Sequence, residues 1–215
     1  MGSFWRKFIF YLAVFVFVLF MTVNGYSELL TFGIVAVVLL SFLLLYYYPL
    51  LLEKRIDRLE SFLLKQKKTP AIYINYVLAN RLEDEARLVI EQLMSKYKQP
   101  ETQAPFKAAF GVYQKDMAIV REAVPYIRQS DYRAYYETIL HIQNGERDQA
   151  QIRLESIKKQ WMKLALLVEM ESSAGNHEAA IQYARKAINS SRGVHCYVLY
   201  KEYERELPQA VEAIS

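Results

Sequence analysis

The residues able to perform chemistry are few in this sequence and lie far apart. Its three histidines are His141, His177 and His195, and the single cysteine, Cys196, directly follows the last of them. A histidine beside a cysteine could supply a base and a nucleophile, or two metal ligands. Neighbouring residues on a helix point in different directions, however, and the sequence has no second pair of this kind. We therefore interpret His195 and Cys196 as structural residues.

Other sequence signals of catalysis are also missing. The chain has no glycine-rich phosphate loop, no nucleophile elbow and no metal-ligand spacing, and it holds only seven glycines in 215 residues. A single cysteine cannot form an internal disulfide, which fits a reducing compartment, although many secreted proteins also lack disulfides. The sequence predicts no enzyme, no cofactor and no metal site.

The chain divides at an apolar stretch, residues 29–52, which contains 24 residues and no charge. A helix of this length extends about 36 Å, more than the roughly 30 Å of hydrocarbon in a bilayer, so it can span with some tilt. It contains no Asp, Glu, Lys, Arg or His, one of which a proton or ion pathway usually needs. We therefore predict a plain anchor rather than a transporter.

A second apolar segment, residues 5–23, lies nearer the N-terminus and is interrupted only by Arg6 and Lys7. A turn cluster at residues 24–28 joins the two segments, so residues 1–52 are predicted to form a two-helix transmembrane hairpin. A cleaved signal peptide is the alternative, because a positive start, an apolar run and the small residue Gly25 resemble a cleavage site.

Basic residues lie at the two outer ends of the predicted hairpin and are absent from its loop. Arg6 and Lys7 lie at the start of the N-terminal segment, the loop between the two segments has no Lys or Arg, and six basic residues follow between positions 53 and 68. The positive-inside rule then places both termini in the cytoplasm, and Trp5 and the tyrosines at 46–48 suit that interface. We predict a multi-pass protein of the cell membrane with a cytoplasmic C-terminal domain.

Residues 53–69 are predicted to form a basic juxtamembrane helix or linker. Ile56, Leu59 and Leu63 would share one side of this helix. Three roles remain open: a connector on the membrane surface, a dimer stalk, or a contact with anionic lipids. The residues expected at the membrane surface are Lys54, Arg55, Arg58, Lys65, Lys67 and Lys68.

The remaining chain is long enough for one domain with its own core. Residues 69–215 carry 19 basic and 19 acidic residues, so the net charge of +4 belongs to the membrane-proximal part. A neutral domain gives no electrostatic reason to expect a nucleic-acid partner.

A short pattern recurs four times in this part of the chain. An acidic residue stands two positions before an alanine, and these alanines are 32, 32 and 30 residues apart. Such a period indicates stacked helical hairpins. Each alanine is expected near the start of the second helix of a pair, with the acid favouring the helix N-terminus. The alanines are Ala86, Ala118, Ala150 and Ala180.

The last complete unit, residues 175–188, resembles a tetratricopeptide repeat, with Gly175 at the interhelical turn. The family's packing positions would be filled by Ala180, Tyr183, Ala184 and Ala187. Residues 144–157 match more loosely, and the first two units lack the turn glycine. The resemblance covers about residues 70–193 and implies an all-α fold, in which residues 70–215 form an α-solenoid of about four helix pairs.

Apolar residues three and four positions apart predict the first helix of each pair, at residues 71–82, 104–113, 132–143 and 161–172. The residues after Gly193 are predicted to form one more partial pair that caps the stack. We expect an open helical array.

Arrays of the family that the chain resembles bind peptides or partner helices in a concave groove lined by their first helices. Tyrosine is frequent on the predicted first helices and is enriched at binding hot spots, although many such tyrosines pack between helices instead. The candidate partner-binding residues are Tyr73, Tyr76, Tyr113, Tyr132, Tyr135 and Tyr136.

Two functions fit this organisation. The first is a membrane-anchored cytoplasmic adaptor or scaffold that holds a protein or peptide partner at the bilayer, where tethering raises its local concentration. The second is an accessory or regulatory subunit of a larger integral membrane complex, with the hairpin as an interface. Homo-oligomerisation remains open under both.

Overall fold

The structure is a computed structural model that describes residues 2–212, including the side chains of residue 9 and of residues 12–45 and 47–212. Residues 2–212 form thirteen α-helices and one 3₁₀ turn and contain no strand, so the all-α prediction is confirmed. The side chains of Trp5, Arg6, Lys7 and Tyr46, expected at the membrane surface, lie outside the described part. The chain separates into two compact units, Met1–Tyr48 and Pro49–Ser215.

The first unit consists of two long helices, α1 (Gly2–Val23) and α2 (Glu28–Leu51), of which the last residues of α2 belong to the second unit. Between the helices, Gly25 has a φ of +73° and the Tyr26 N–H donates to the Met21 carbonyl at 3.2 Å. A left-handed residue with this hydrogen bond is the usual way to end a helix, and glycine adopts it without strain. The predicted turn is therefore present.

One stretch of the described residues, Glu28–Leu45, is long and apolar enough to cross a membrane, and only 6 % of it is buried. In α1, the apolar stretch that the structure describes is shorter, Leu12–Val23. The structure therefore supports one candidate span and does not support the predicted pair. Helix α2 continues through Pro49 to Leu51.

The segment after α2 belongs to the folded core of the second unit. The Glu53 carboxylate accepts hydrogen bonds from the backbone N–H groups of Lys54 (3.0 Å) and Arg55 (3.1 Å), and α3 (Ile56–Leu64) begins just after them. Leu59 and Leu63 of α3 are fully buried, and the helix packs against α4 and α12. Residues 53–69 thus contain a helix whose apolar side is covered by other helices of the second unit.

The rest of the second unit is built from pairs of consecutive helices that pack together. Each second helix also contacts the first helix of the next pair, which is repeat-like packing. A 3₁₀ turn, Val124–Tyr126, follows α7. The pairs are α4 (Pro70–Ala79) with α5 (Glu83–Lys96), α6 (Pro100–Gln114) with α7 (Met117–Ala123), α8 (Ser130–Gln143) with α9 (Arg147–Ser156), α10 (Gln160–Ser173) with α11 (His177–Ser190), and α12 (Gly193–Glu206) with α13 (Pro208–Glu212).

The turn inside each of the first four pairs has the same backbone geometry. A residue with φ between 55° and 78° follows the first helix, and the next N–H donates to a carbonyl five residues earlier at 2.8 to 3.1 Å. This is the Schellman motif, in which glycine is favoured because it carries no Cβ. The four left-handed residues are Arg81, Lys115, Gly145 and Gly175.

These turns also show that one of the four repeated alanines was assigned to the wrong position of its repeat. Ala86, Ala150 and Ala180 are fully buried, each five positions after its left-handed residue, whereas Ala118 is exposed and Val120 takes the buried position. The repeat spacing is therefore 34, 30 and 30 residues. The match at Ala118 was misleading because Asp116 is the N-cap of α7, accepting from the Ala118 N–H at 3.0 Å, while the other acids lie inside the first turns of their helices.

The array closes on itself, whereas an open array was expected. Helix α12, predicted to cap one end, packs against α4 as well as α11 and α3. A single hydrophobic cluster joins these helices to α10 and α13. Closure follows from the amino acids of α12, because Tyr197, Leu199 and Tyr203 are all buried and need cover on more than one side.

Candidate functional site

The first helices α4, α8 and α10 turn aromatic side chains towards α12. We call this surface the inner face and define it by Tyr76 of α4, Asn80 directly after α4, Tyr132 and Tyr135 of α8, and Trp161 of α10. All five residues are half-buried. The inner face contains three of the six tyrosines that the sequence predicted as a binding surface, and it is covered by the chain's own α12.

On α4, the contact with α12 combines ring stacking with a hydrogen bond. The rings of Tyr76 and Tyr197 are nearly parallel, with centroids 6.2 Å apart. The Asn80 side-chain amide donates to the Tyr197 hydroxyl at 2.8 Å. Tyr197 is completely buried, and this burial raises the pKa of its phenol, so the hydroxyl stays protonated at physiological pH. The bond from Asn80 satisfies a polar group that would otherwise be costly to bury.

The beginning of α12 is held by α8 and α10 through His195. The imidazole ring stacks on Trp161 with centroids 4.3 Å apart, and its Nε2 lies 3.2 Å from the Tyr132 hydroxyl. The Lys159 ammonium lies 4.6 Å from the centre of the Tyr132 ring, within the range of a cation–π contact. Burial, together with the positive charge of Lys159, lowers the pKa of His195 to about 4. His195 is therefore neutral at pH 7 and acts as an aromatic packing residue with one polar contact.

Farther along α12, Tyr203 packs in the same cluster as Tyr135 of α8. Tyr203 is almost fully buried, and burial raises the pKa values of both phenols. Three carboxyl groups are close to them: Glu169 of α10 and Glu202 and Glu206 of α12. Burial, with a smaller effect from the two α12 carboxylates, raises the pKa of Glu169 to about 7.

Arg81 connects the turn after α4 to these carboxylates. Its guanidinium lies 3.2 Å from Glu202 and 3.8 Å from Glu206, donates to the Tyr113 carbonyl at 3.3 Å, and sits over the Tyr113 ring at 5.3 Å. A second arginine, Arg205 of α12, donates to a backbone carbonyl at the end of α4. We call the contacts of Arg81 with Glu202 and Glu206 the Arg81 clamp.

The other three predicted tyrosines are not part of the inner face. Tyr73 is buried beside α5, where its hydroxyl donates to Glu85, and it stacks on Tyr76. Tyr113 lies under Arg81, and its buried hydroxyl has no hydrogen-bond partner among the described residues. Tyr136 is buried in a second cluster, formed with α6, α7 and α9.

His195 and Cys196 point in different directions, as expected for neighbours on a helix. His195 faces α8 and α10, whereas the Cys196 sulfur lies 4.0 Å from the Ile188 carbonyl of α11 and is buried. Burial raises the pKa of this thiol, so the thiolate needed for nucleophilic attack is disfavoured. The pair is not arranged to act together on a substrate.

The six basic residues expected at the membrane surface are all exposed. Several also contact the protein itself: Arg55 pairs with Asp57 at 2.8 Å, Lys54 donates to the Asn189 carbonyl at 2.9 Å, and Lys67 lies over the Tyr73 ring at 5.7 Å. Arg58 lies 3.5 Å from Glu53. An exposed ion pair such as Arg55–Asp57 contributes little to stability, so Arg55 is free to exchange partners.

Several residues of this site had no sequence signal of their own. Trp161 and Tyr203 appear as ordinary apolar positions of predicted helices, and Asn80 and Arg81 as residues near a helix end. Only alignment of the four turns reveals that Arg81 occupies the position that Gly145 and Gly175 take in later units.

No protein family, curated protein or solved structure matches this chain.

Proposed function

We propose that this protein is a membrane-anchored, cytoplasmic adaptor of the tetratricopeptide-repeat type, which holds a protein or peptide partner at the bilayer. The observation that carries the proposal is the exposed apolar surface of α2. Leu29 is 83 % exposed, Phe32 74 % and Val37 64 %, in a helix without a charged residue after Glu28. Such a surface is too apolar to face water and suits a lipid environment.

The second unit supports the binding part of the proposal. Its helix pairs and repeated Schellman turns fit the four-pair arrangement that the sequence resemblance implies. Its first helices present half-buried aromatic side chains, the residue type most often found at binding hot spots. The basic residues that follow α2 favour a cytoplasmic location for this unit.

Membrane anchoring by α2 is tested by fractionation of cells under alkaline conditions. Two arginines on the exposed side, Val37→Arg with Leu40→Arg, should move the protein from the membrane pellet to the supernatant, since each costs roughly 3 kcal/mol at mid-membrane. Leu88→Arg is the matched control, because Leu88 is 59 % exposed on α5 of the other unit. Full retention of the double variant would contradict the assignment of α2 as the anchor.

Orientation is tested with single cysteines in a Cys196→Ser background. A membrane-impermeant maleimide should label Tyr26→Cys in intact cells and Lys68→Cys only after lysis, because the turn and the second unit are proposed to lie on opposite sides. The reverse pattern would place the repeat domain outside the cytoplasm.

The adaptor role is tested by crosslinking in cells followed by affinity purification. The full chain is compared with a variant whose residues 1–52 are replaced by an unrelated two-helix anchor. Capture of the same peripheral or soluble protein by both chains supports the adaptor. Integral membrane proteins that are captured by the native chain and lost with the foreign anchor would instead show a complex subunit that uses its apolar helices as an interface.

A further inference from the structure

Helix α12 occupies the place where an array of this kind would hold a partner helix. It contacts the inner face through Tyr197, His195 and Tyr203, and it is the last long helix of the described chain. Its contacts are those of a bound peptide: aromatic anchors in apolar surroundings, with polar contacts to the receptor side chains of Asn80 and Tyr132.

The Arg81 clamp is a second, independent observation. Of the four described turn residues, Arg81 is the one that bonds to α12, and it does so from a left-handed backbone conformation (φ 55°) that costs free energy for any residue except glycine. Lys115, in the equivalent turn, has the same conformation (φ 57°) and is exposed. Strain retained at a residue that holds another element in place is a feature of switch regions.

We propose that α12 is a resident ligand of the inner face, and that a partner helix of the same chemistry binds there by displacing α12 when the Arg81 clamp opens. This inference rests on the proposed adaptor function and specifies the partner. The preferred partner is a helix with aromatic side chains three residues apart, as in Tyr197, Tyr200 and Tyr203, that continues into carboxylates able to meet Arg81.

The chain contains its own reporter of this event. Cys196 is the single cysteine, it belongs to α12, and it is only 3 % exposed. A maleimide can reach the thiol only when α12 leaves its site or opens locally, so the labelling rate of the full chain in detergent micelles measures that population. The circular dichroism of the helices, recorded in parallel, separates local release from global unfolding.

Two matched variants test the clamp. Arg81→Gly removes the clamp and also relieves the backbone strain of the left-handed residue. Lys115→Gly only relieves the backbone strain at the equivalent residue of the next unit. We expect Arg81→Gly to raise the labelling rate of Cys196 about tenfold with the helical signal unchanged, and Lys115→Gly to leave the rate as it is. Equal labelling rates in the two folded variants would overturn the proposal.

The partner chemistry is tested with a fluorescein-labelled peptide of residues 193–212 carrying Cys196→Ser. It should bind the Arg81→Gly chain saturably and further raise the labelling rate of Cys196, because it competes with α12 for the inner face. A second peptide with Tyr197→Ala and Tyr203→Ala should do neither. Absence of saturable binding by the first peptide, or equal binding by both peptides, would overturn the proposal.

These outcomes are separate from those that test the proposed function. Fractionation and crosslinking in cells examine anchoring and capture without a peptide, whereas labelling of the purified chain examines displacement of α12. A chain that stays in the supernatant but binds the peptide refutes the anchor alone. A chain that is anchored and captures its partner while Cys196 stays protected refutes the resident-ligand proposal alone.

Discussion

Single residues at the two ends of α12 show what holds this helix in place. At its beginning, Gly193 packs against the backbone of Leu50 and Leu51, the last two residues of α2, and its N–H donates to the Glu53 carbonyl at 2.7 Å. At its end, Glu202 and Glu206 share the Arg81 guanidinium and crowd the carboxyl of Glu169. The first contact is steric and the second electrostatic, so they respond to different changes.

Replacing Gly193 tests the steric contact. A Cβ at this position would overlap the Leu50 carbonyl oxygen, and the residue has a φ of +57°. Gly193→Ala should lower the free energy of unfolding by about 3 kcal/mol, since the opposing atom is backbone and cannot move aside cheaply. Denaturation by urea in detergent micelles provides the measurement.

Gly175→Ala is the matched control for that change. Gly175 has a similar φ of +78° but open space around it, so only the conformational cost of about 1 kcal/mol should appear. Equal losses at Gly193 and Gly175 would show that the contact with Leu50 is unimportant.

The electrostatic contact predicts a dependence of stability on pH. Burial and the neighbouring carboxylates Glu206 and Glu202 raise the pKa of Glu169 from 4.5 to about 7, while Lys115 opposes the shift. The folded chain therefore binds this proton more tightly than the unfolded chain does. The contribution of Glu169 to stability is largest below about pH 4.5 and declines as the pH rises to about 7.

Glu169→Gln should consequently raise the free energy of unfolding by about 2 kcal/mol at pH 8 and by less at pH 5, because the amide imitates the protonated carboxyl. Urea midpoints of the variant and the native chain at both pH values give the comparison. Glu155→Gln, on the exposed surface of α9, serves as the control and should change neither midpoint. An equal gain in the free energy of unfolding at both pH values would show that Glu169 does not change its protonation state between them.

At the scale of elements, the repeated unit is a helix, a Schellman turn and a second helix whose fourth residue is buried. Ala86, Val120, Ala150 and Ala180 occupy this buried position, each five residues after the left-handed turn residue. A small side chain there lets the second helix approach the first closely. The larger Val120 is accommodated next to Gly111 of α6, where an added Cβ would come within 2.9 Å of the valine side chain.

This register predicts that two alanines that look equivalent in the sequence differ in how much their replacement lowers stability. Ala180→Leu should lower the free energy of unfolding by about 1–3 kcal/mol, because Ala180 is completely buried and the extra atoms must be forced between α10 and α11. Ala118→Leu should change it by less than about 0.5 kcal/mol, since Ala118 is exposed. Thermal unfolding of both variants gives the comparison. Similar losses of stability would support the register predicted from the acidic pattern, in which Ala118 takes the buried position.

At the scale of the second unit, α12 makes the first and the last helix pairs interdependent. In an open solenoid each pair contacts only its neighbours, so damage at one end stays local. Here α12 packs on α4 as well as on α11, and Tyr197 bonds to Asn80, a residue 117 positions away. Loss of the contacts of α12 is therefore expected to destabilise α4 as well as α11.

Tyr197→Ala tests this interdependence by hydrogen exchange. Loss of a fully buried tyrosine costs about 3–5 kcal/mol, and the amides of α4 should lose protection together with those of α11. Tyr126→Ala is the control, because Tyr126 is 49 % exposed and should leave α4 protected. Loss of protection confined to α11, α12 and α13 would mean that the contact with α4 adds no stability.

Much of the second unit could be predicted from local sequence patterns. The spacing of apolar residues placed the first helices of the pairs to within a few residues, except for an α6 that starts earlier, and the recurrence every 30 to 32 residues indicated hairpins. These features depend on interactions between residues three to five positions apart, which the sequence shows directly. The tyrosine-rich first helices followed from the same patterns.

The closure of the array, the role of Arg81 and the burial of α3 were decided by the tertiary structure. Whether a stack of pairs stays open depends on small angles that accumulate along it and on which distant surface covers a helix, and neither is encoded in a local period. In the sequence, Tyr197 is one helical tyrosine among several, and only the packing of α4 against it shows its role. The sequence by itself determined the helices, the repeat and the apolar segment, because these depend on residues that are close in the chain. Which helix covers the inner face depends on contacts between residues far apart in the chain, and only the tertiary structure decided it.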